Sequence, residues 1–190
     1  MDWMNMDKTF LITGGAGNLA CQLSFDLVDR GHHCILVDIA DSPVTTPANE
    51  CQFVCADITQ GEELSAVFTE HRPTVVIHFA TLLSGKSEED RPAAWRVNAD
   101  GAFEIFEAAV KYGARQVFFP SSTASYGAPL PNPVPDDFPQ WPMGLYGVTK
   151  VAVERLGFYY HQKYGLDFRS IRLPIVISAF APVGAASAYA

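Results

Sequence analysis

Apolar positions along this chain follow two alternating rhythms. Short runs dense in β-branched and aromatic residues occur at Thr9–Thr13, Cys34–Asp38, Phe53–Ala56, Val75–Phe79, Gln116–Pro120 and Phe168–Leu173, and each reads as a strand. Between them, near Asn18–Arg30, Glu62–His71, Ala93–Tyr112 and Leu145–Tyr164, apolar residues recur at spacings of three and four, which predicts helices. This alternation is the signature of βαβ units around a mainly parallel sheet. Right-handed crossovers leave few arrangements for six such strands, so an α/β, doubly wound sheet in the order 3-2-1-4-5-6 is expected.

One stretch breaks the rhythm. Ala128 to Pro142 holds six prolines in fifteen residues, which excludes regular helix and central strand. It joins the fifth strand to the last helix, so it lies over the carboxyl edge of the sheet, where such folds bind ligands, and it suits a lid or pocket wall.

With 190 residues, 48% of them hydrophobic, the chain can bury one substantial core and little beyond it. Its formal net charge of −8 is spread along the sequence, which argues against nucleic acid or an anionic membrane as partner and favours a small molecule. The opening Met1–Lys8 lacks the apolar core of a signal peptide, and the longest apolar runs are far too short to span a bilayer. A soluble, cytoplasmic protein is expected. The cysteines Cys21, Cys34, Cys51 and Cys55 have no metal-ligand spacing, so they read as small buried apolar residues and no metal site is expected. His32 and His33 read as a solvated turn.

Candidate chemistry begins with Thr13-Gly14-Gly15-Ala16-Gly17-Asn18-Leu19-Ala20, placed directly between the first strand and first helix. Gly14 and Gly17 allow close backbone approach to a pyrophosphate, while the helix start at Asn18 and Leu19 offers free N–H groups and positive partial charge. Ala20, where a third glycine often sits, is small enough for close helix–strand packing. Asp38 ends the second strand about twenty residues after this loop, where a carboxylate binds adenosine ribose hydroxyls and repels a 2′-phosphate. NAD is therefore favoured over NADP. Asp57-Ile58 ends the third strand and suits the adenine edge, although a turn or helix-capping role for Asp57 is the alternative. His78-Phe79-Ala80-Thr81 ends the fourth strand beside the pyrophosphate. His78 reads as a packing or hydrogen-bonding residue and not as a catalyst.

Tyr146-Gly147-Val148-Thr149-Lys150 sets a phenol and an ammonium four residues apart at a helix start, on one face. The Lys150 charge favours the phenolate, so Tyr146 can take a proton from a substrate alcohol as hydride leaves its carbon. Phe119-Pro120-Ser121-Ser122-Thr123 ends the fifth strand at the same sheet edge. Ser122 is assigned the hydroxyl that bonds the substrate oxygen, with Thr123 its rival, and Ser121 is expected to satisfy local backbone groups. No acid partner or oxyanion loop supports a serine nucleophile.

Taken together, these motifs resemble the extended short-chain dehydrogenase/reductase family, the NAD-dependent epimerase/dehydratase group, over roughly Thr9 to Ile177. The resemblance implies a Rossmann-type domain over residues 1–177, with 178–190 the start of a truncated substrate-binding region whose remainder is largely missing. It implies that Asn98, within Trp95-Arg96-Val97-Asn98, supports a proton-relay water and the active-site lysine, and it adds Tyr146, Lys150 and Pro174 to the cofactor contacts. Leu82-Leu83-Ser84-Gly85, Pro120 to Ala124 and Phe168 to Pro174 look similar to short-chain-type L-threonine 3-dehydrogenases. Ser84 to Glu88, Gly127 to Pro131 with Asp136-Asp137, and Ala185 to Ala188 look similar to D-erythronate dehydrogenases. The implied activity is oxidation of a secondary alcohol on a small polar hydroxy acid. A nucleotide-sugar epimerase or dehydratase, or a cofactor-binding fragment with little activity, stands as the alternative. A homodimer through Ala93–Tyr112 and Leu145–Tyr164 is expected from the family and from apolar residues such as Phe103, Ile105, Phe106, Phe158 and Tyr159.

Overall fold

Strands β1 (Thr9–Thr13), β2 (His33–Asp38), β3 (Gln52–Cys55), β4 (Val75–His78), β5 (Gln116–Ser122) and β6 (Asp167–Leu173) form one parallel sheet in the order β3-β2-β1-β4-β5-β6, as the pattern predicts. The computed structural model describes residues 8–43 and 48–176. The expected leading segment before Lys8, and the region at 178–190, lie outside the described residues.

Successive residues of the central strands feed two separate cores. Leu11, Ile35, Val37 and Val76 pack on one face, while Phe10, Ile12, Leu36, Val75 and Ile77 pack on the other. Apolar side chains are therefore needed at every position, which is why these strands read as continuous apolar runs. One face is covered by α1 (Asn18–Asp29) through Ala20 and Leu27. The other carries α2 (Gly61–His71), α5 (Gly101–Tyr112) and α6 (Leu145–Tyr164), whose Phe68, Ile105, Phe106, Val153 and Tyr160 fill the larger core. The Phe106 ring stacks on Tyr160 at 4.9 Å and meets Phe168 edge-on at 5.7 Å. Gly157 makes room for Phe168, since a Cβ there would lie 2.4 Å from that ring.

Some elements depart from the expected boundaries. The single helix expected over Ala93–Tyr112 is three pieces: α4 (Arg91–Trp95), a π-helical turn at Arg96–Asp100, and α5. Periodicity cannot announce one inserted residue in a helix. A short helix, α3 (Ser84–Glu89), precedes them where none was expected. Strand β5 runs two residues further than expected, because β6 continues to pair with it through Ser121↔Arg172 and Ser122↔Leu173. His33 opens β2 instead of lying in a turn, and the His32 ring packs on Phe10 at 5.2 Å. Among the cysteines, Cys21 and Cys34 are buried as expected, but Cys51 is half-buried and Cys55, on the edge strand β3, is exposed.

The stretch 128–142 contains no helix or strand. Its ends are drawn together by the Trp141 N–H donating to the Tyr126 carbonyl at 2.9 Å, and Phe138 packs against the Tyr126 ring. Among the described residues no helix is long and apolar enough to cross a membrane. Truncating the ring at the centre of the larger core tests this packing. Phe106→Ala is expected to cost about 3–5 kcal/mol of unfolding free energy, read from urea denaturation.

Candidate functional site

The turn after β1 is built for close backbone approach. Gly14 sits at φ +69°, and a Cβ there would lie 2.8 Å from the Ala80 nitrogen and 2.9 Å from the Phe79 carbonyl carbon. The glycine thus lets the loop lie flush on the chain leaving β4. Gly15 is equally constrained: its N–H donates to the Val37 carbonyl at 2.9 Å, and a Cβ would lie 2.6 Å from the Val37 nitrogen. The sequence reading missed that residue, although the Gly14-Gly15 doublet was the available signal. Gly17 is the N-cap of α1, and no side chain caps that end. The first-turn N–H groups around Asn18 and Leu19 therefore face outward with the positive end of the helix dipole. A cradle closed to any Cβ beside an uncapped helix start fits a pyrophosphate.

Asp38, the last residue of β2, accepts from the Ala16 N–H at 3.0 Å through Oδ2 and from the Ala40 N–H at 3.1 Å through Oδ1. Each oxygen keeps a second lone pair for a hydroxyl donor. Asp57 accepts from both the N–H and the hydroxyl of Thr59 at 2.9 Å through Oδ1, so it forms the turn that the sequence reading held as an alternative. Ile58 is buried, with its side chain against Gly101.

At the end of β4 the Thr13 hydroxyl lies 2.7 Å from His78 Nδ1 and accepts from the Ala80 N–H at 3.3 Å. His78 stacks on Phe119. Burial, with the nearby Lys150 charge, lowers its pKa to about 3, so the ring is neutral at physiological pH and cannot serve as a charged acid. Phe79, Ala80 and Thr81 follow at the same edge, the Phe79 N–H donating to the Thr13 carbonyl.

Tyr146 and Lys150 occupy the first two turns of α6. Lys150 is 3% exposed, its Nζ donates to the Pro120 carbonyl at 2.8 Å, and it lies 4.3 Å from the Phe119 ring centre and 5.2 Å from that of Tyr146. Burial lowers its pKa to about 7, against an opposing pull from Glu154. Ser122 ends β5 and accepts from the Ala124 N–H at 3.2 Å. The helix start is pressed onto that same turn, since a Cβ on Gly147 would lie 2.2 Å from the Ala124 carbonyl oxygen. Ser122, Tyr146 and Lys150 are thus gathered at one corner. Pro174 follows Leu173, the β6 partner of Ser122, at the same edge.

Asn98 sits in the π-helical turn, 4% exposed. Its Oδ1 accepts from the Leu82 N–H at 2.7 Å, while its Nδ2 donates to the Leu82 carbonyl at 2.9 Å and the Thr149 hydroxyl at 3.4 Å. This side chain clamps the chain leaving β4 to α6, one residue from Lys150.

Further contacts were not foreseen. Ser121 donates to the Glu154 carboxylate, which corrects the expectation that it serves local backbone groups; alternation in the extended β5 turns it towards α6. Arg172 donates to both Glu154 oxygens, at 3.0 and 2.7 Å, and to the Tyr126 hydroxyl at 2.9 Å. Glu88 of α3 accepts from the Leu145 N–H at 2.8 Å and so caps α6 from outside. None of these pairings follows a spacing rule within one element, so local pattern carried no signal.

Comparison with known proteins identifies the family and the fold. Residues 10–188 match the model of the NAD dependent epimerase/dehydratase family. A mitochondrial L-threonine 3-dehydrogenase of Bos taurus is 37% identical over 95% of this chain and 49% of its own length. In three dimensions, an L-threonine dehydrogenase from Clostridium difficile superposes with TM-score 0.87 at 31% identity, covering 94% of this chain and 57% of that one. A UDP-glucose 4-epimerase from Brucella ovis, in complex with NAD, superposes with TM-score 0.80 at 29% identity, covering 87% and 51%. The chain spans about half the length of the curated relatives it matches.

The buried ammonium gives a stability test. Folded Lys150 releases its proton near pH 7, far below the ordinary lysine value. Between those two values unfolding takes up a proton, so stability rises with pH across that window and the burial penalty is whole only below it. Lys150→Met is expected to raise Tm by about 3 °C or more at about pH 6, with the gain shrinking towards about pH 10, read by thermal unfolding.

Proposed function

We propose that this chain, which belongs to the NAD dependent epimerase/dehydratase family, acts as an oxidoreductase on a secondary alcohol of a small polar hydroxy acid of threonine or sugar-acid type. The observation that carries this reading is the desolvated Lys150 ammonium beside the Tyr146 ring, at the corner where β5 ends in Ser122. A positive charge held out of water beside a phenol stabilises the phenolate, and a phenolate is a general base suited to an alcohol proton. In this reading Tyr146 accepts that proton, Lys150 stabilises the resulting charge distribution, and Ser122 donates a hydrogen bond to the substrate oxygen. Asn98 acts through Thr149 and Leu82 and keeps the Lys150 turn in register.

The cradle at Gly14, Gly15 and Gly17 and the α1 start at Asn18 and Leu19 would hold the cofactor pyrophosphate. Asp38 would take the adenosine ribose hydroxyls, Asp57-Ile58 the adenine edge, Phe79, Ala80 and Thr81 would lie beside the pyrophosphate, and Tyr146, Lys150 and Pro174 would complete the cofactor contacts. When bound there, NAD supplies the hydride acceptor. A nucleotide-sugar epimerase is the second reading, supported by the fold shared with the NAD-bound UDP-glucose 4-epimerase.

A homodimer is proposed through α4, α5 and α6. Trp95, Phe103, Phe158 and Tyr159 are exposed on these helices, and a cavity of ≈ 440 Å³ opens between them, lined by Trp95, Ala99, Phe103, Arg155 and Leu156 among others. Ile105 and Phe106, by contrast, are buried in the protomer's own core.

The test of function is NADH formation by the purified chain with L-threonine, D-erythronate and UDP-glucose in separate arms. Turnover of a hydroxy acid is expected, falling by about 100-fold or more in Tyr146→Phe. Turnover undiminished in that variant would sink the assignment of the base. Light scattering at micromolar concentration is expected to give twice the chain mass, and Phe103→Arg to give the single mass; a monomeric parent would refute the dimer.

A further inference from the structure

Glu154 lies one helical turn beyond Lys150 on the inner face of α6 and is 8% exposed. Its carboxylate is the meeting point of four segments. From β5 it receives the Ser121 hydroxyl, next in sequence to Ser122. From β6 it receives both arms of the Arg172 guanidinium, and from the proline-rich loop the Gln140 amide at 3.0 Å. Arg172 extends the tie to Tyr126, whose hydroxyl it reaches at 2.9 Å and whose ring lies 4.8 Å from the guanidinium carbon. A side chain that merely paired with a surface arginine would have no need of Ser121 or Gln140.

The consequence is geometric. Tyr146 and Lys150 ride on α6, whereas Ser122 rides on β5; at this corner these elements also meet through the Lys150 bond to the Pro120 carbonyl, the Lys150 ammonium on the Phe119 ring and the contact of Gly147 with Ala124. Proton transfer requires donor and acceptor to be held within a few tenths of an ångström, and about 1 Å of misplacement costs roughly 100-fold in rate. A buried, charge-assisted tie directly behind Ser122 resists such a slide better than a neutral one.

We propose that Glu154 is a positioning residue for the reaction, fixing the Ser122 hydroxyl against the Tyr146 phenol by binding Ser121 and Arg172 to the helix that carries Lys150. The inference rests on the roles proposed above for Ser122 and Tyr146. It assigns Glu154 no contact with substrate or cofactor.

A stabilising role alone is separated from a positioning role by exchanging the ion pair for packing. Replacing a buried ion pair by apolar residues of similar size is often neutral or stabilising, whereas removing one partner is costly. In Glu154→Gln, kcat is expected to fall by about 100-fold while KM stays within about threefold. In the double variant Glu154→Met/Arg172→Met, Tm is expected to return to within about 3 °C of the parent, yet kcat to remain at least about tenfold low because Ser121 is no longer tied. NAD affinity, measured by quenching of intrinsic fluorescence, is expected to stay within about threefold in both variants. Recovery of kcat together with Tm in the double variant, or parental kcat in Glu154→Gln, overturns the proposal. Hydrogen exchange supplies an arm independent of turnover. The double variant is expected to lose about tenfold protection at residues 119–125 and 145–150 with the rest of the sheet unchanged. If the parent turns over none of the substrates, the functional reading fails and the exchange arm still decides the tie, unchanged protection overturning it.

Discussion

Lys150 brings an ammonium almost completely out of water and satisfies it with the Pro120 carbonyl and the faces of Phe119 and Tyr146. Burial disfavours the charged form by enough to bring its pKa to about 7, and such a cost persists only where the surroundings over-determine the side chain's position. Much of the carboxyl edge serves that end. β5 must reach far enough to present Pro120 and Phe119, α6 must lie flush on the following turn through Gly147, and Asn98 must hold Thr149 and Leu82 together. The π-helical turn at Arg96–Asp100 is part of the same constraint, because it sets Asn98 facing both the chain after β4 and the helix bearing Lys150.

The opposite half of the edge obeys a different requirement, that of backbone approach. Gly14 and Gly15 let the β1 turn touch Phe79, Ala80 and Val37, and Asp38 accepts the Ala16 N–H. The carboxylate thus braces the glycine turn after β1. Under the proposed function the same residue would answer both for the shape of the cradle and for a preference for a ribose bearing free hydroxyls. His78 belongs to this bracing. Held neutral by burial, it bonds Thr13 beneath the loop and packs on the ring that Lys150 covers, so the two halves of the edge share a common floor.

Legibility in the sequence followed the range of the interaction. Strand order, the glycine turn after β1, the place of Asp38 at the end of β2 and the bounds of α6 were readable because each depends on residues near one another in the chain or on a period of two or 3.6. Gly147 was readable only as part of a motif; its close approach to Ala124 belongs to the packing of two elements. The split of Ala93–Tyr112 was hidden because its three pieces together keep helical periodicity. Glu154 and Arg172 were hidden more deeply. Each reads as an ordinary polar position, one on a helix and one on an edge strand, and their partnership exists only once β6 has been laid beside β5 under α6. Ser121 was misread for a related reason: two more residues of strand turn its hydroxyl towards the helix instead of the local backbone.

The spacing of Lys150 and Glu154 carries a last consequence. Four residues apart on a helix is the favoured distance for an ion pair, and a direct bridge would draw the ammonium towards the carboxylate. In this chain Arg172, Ser121 and Gln140 occupy the Glu154 oxygens. Burial pushes that carboxyl upward in pKa, but those hydrogen bonds and the Arg172 charge outweigh it and hold the group below the usual carboxylate range. The carboxylate therefore stays ionised and supports the Lys150 charge through space without capturing it. The ammonium is left on the Pro120 carbonyl, beside the phenol, where its field acts on Tyr146. Capture of Glu154 by Arg172 is thus what converts an ordinary helix ion-pair spacing into an oriented charge at the edge of the sheet.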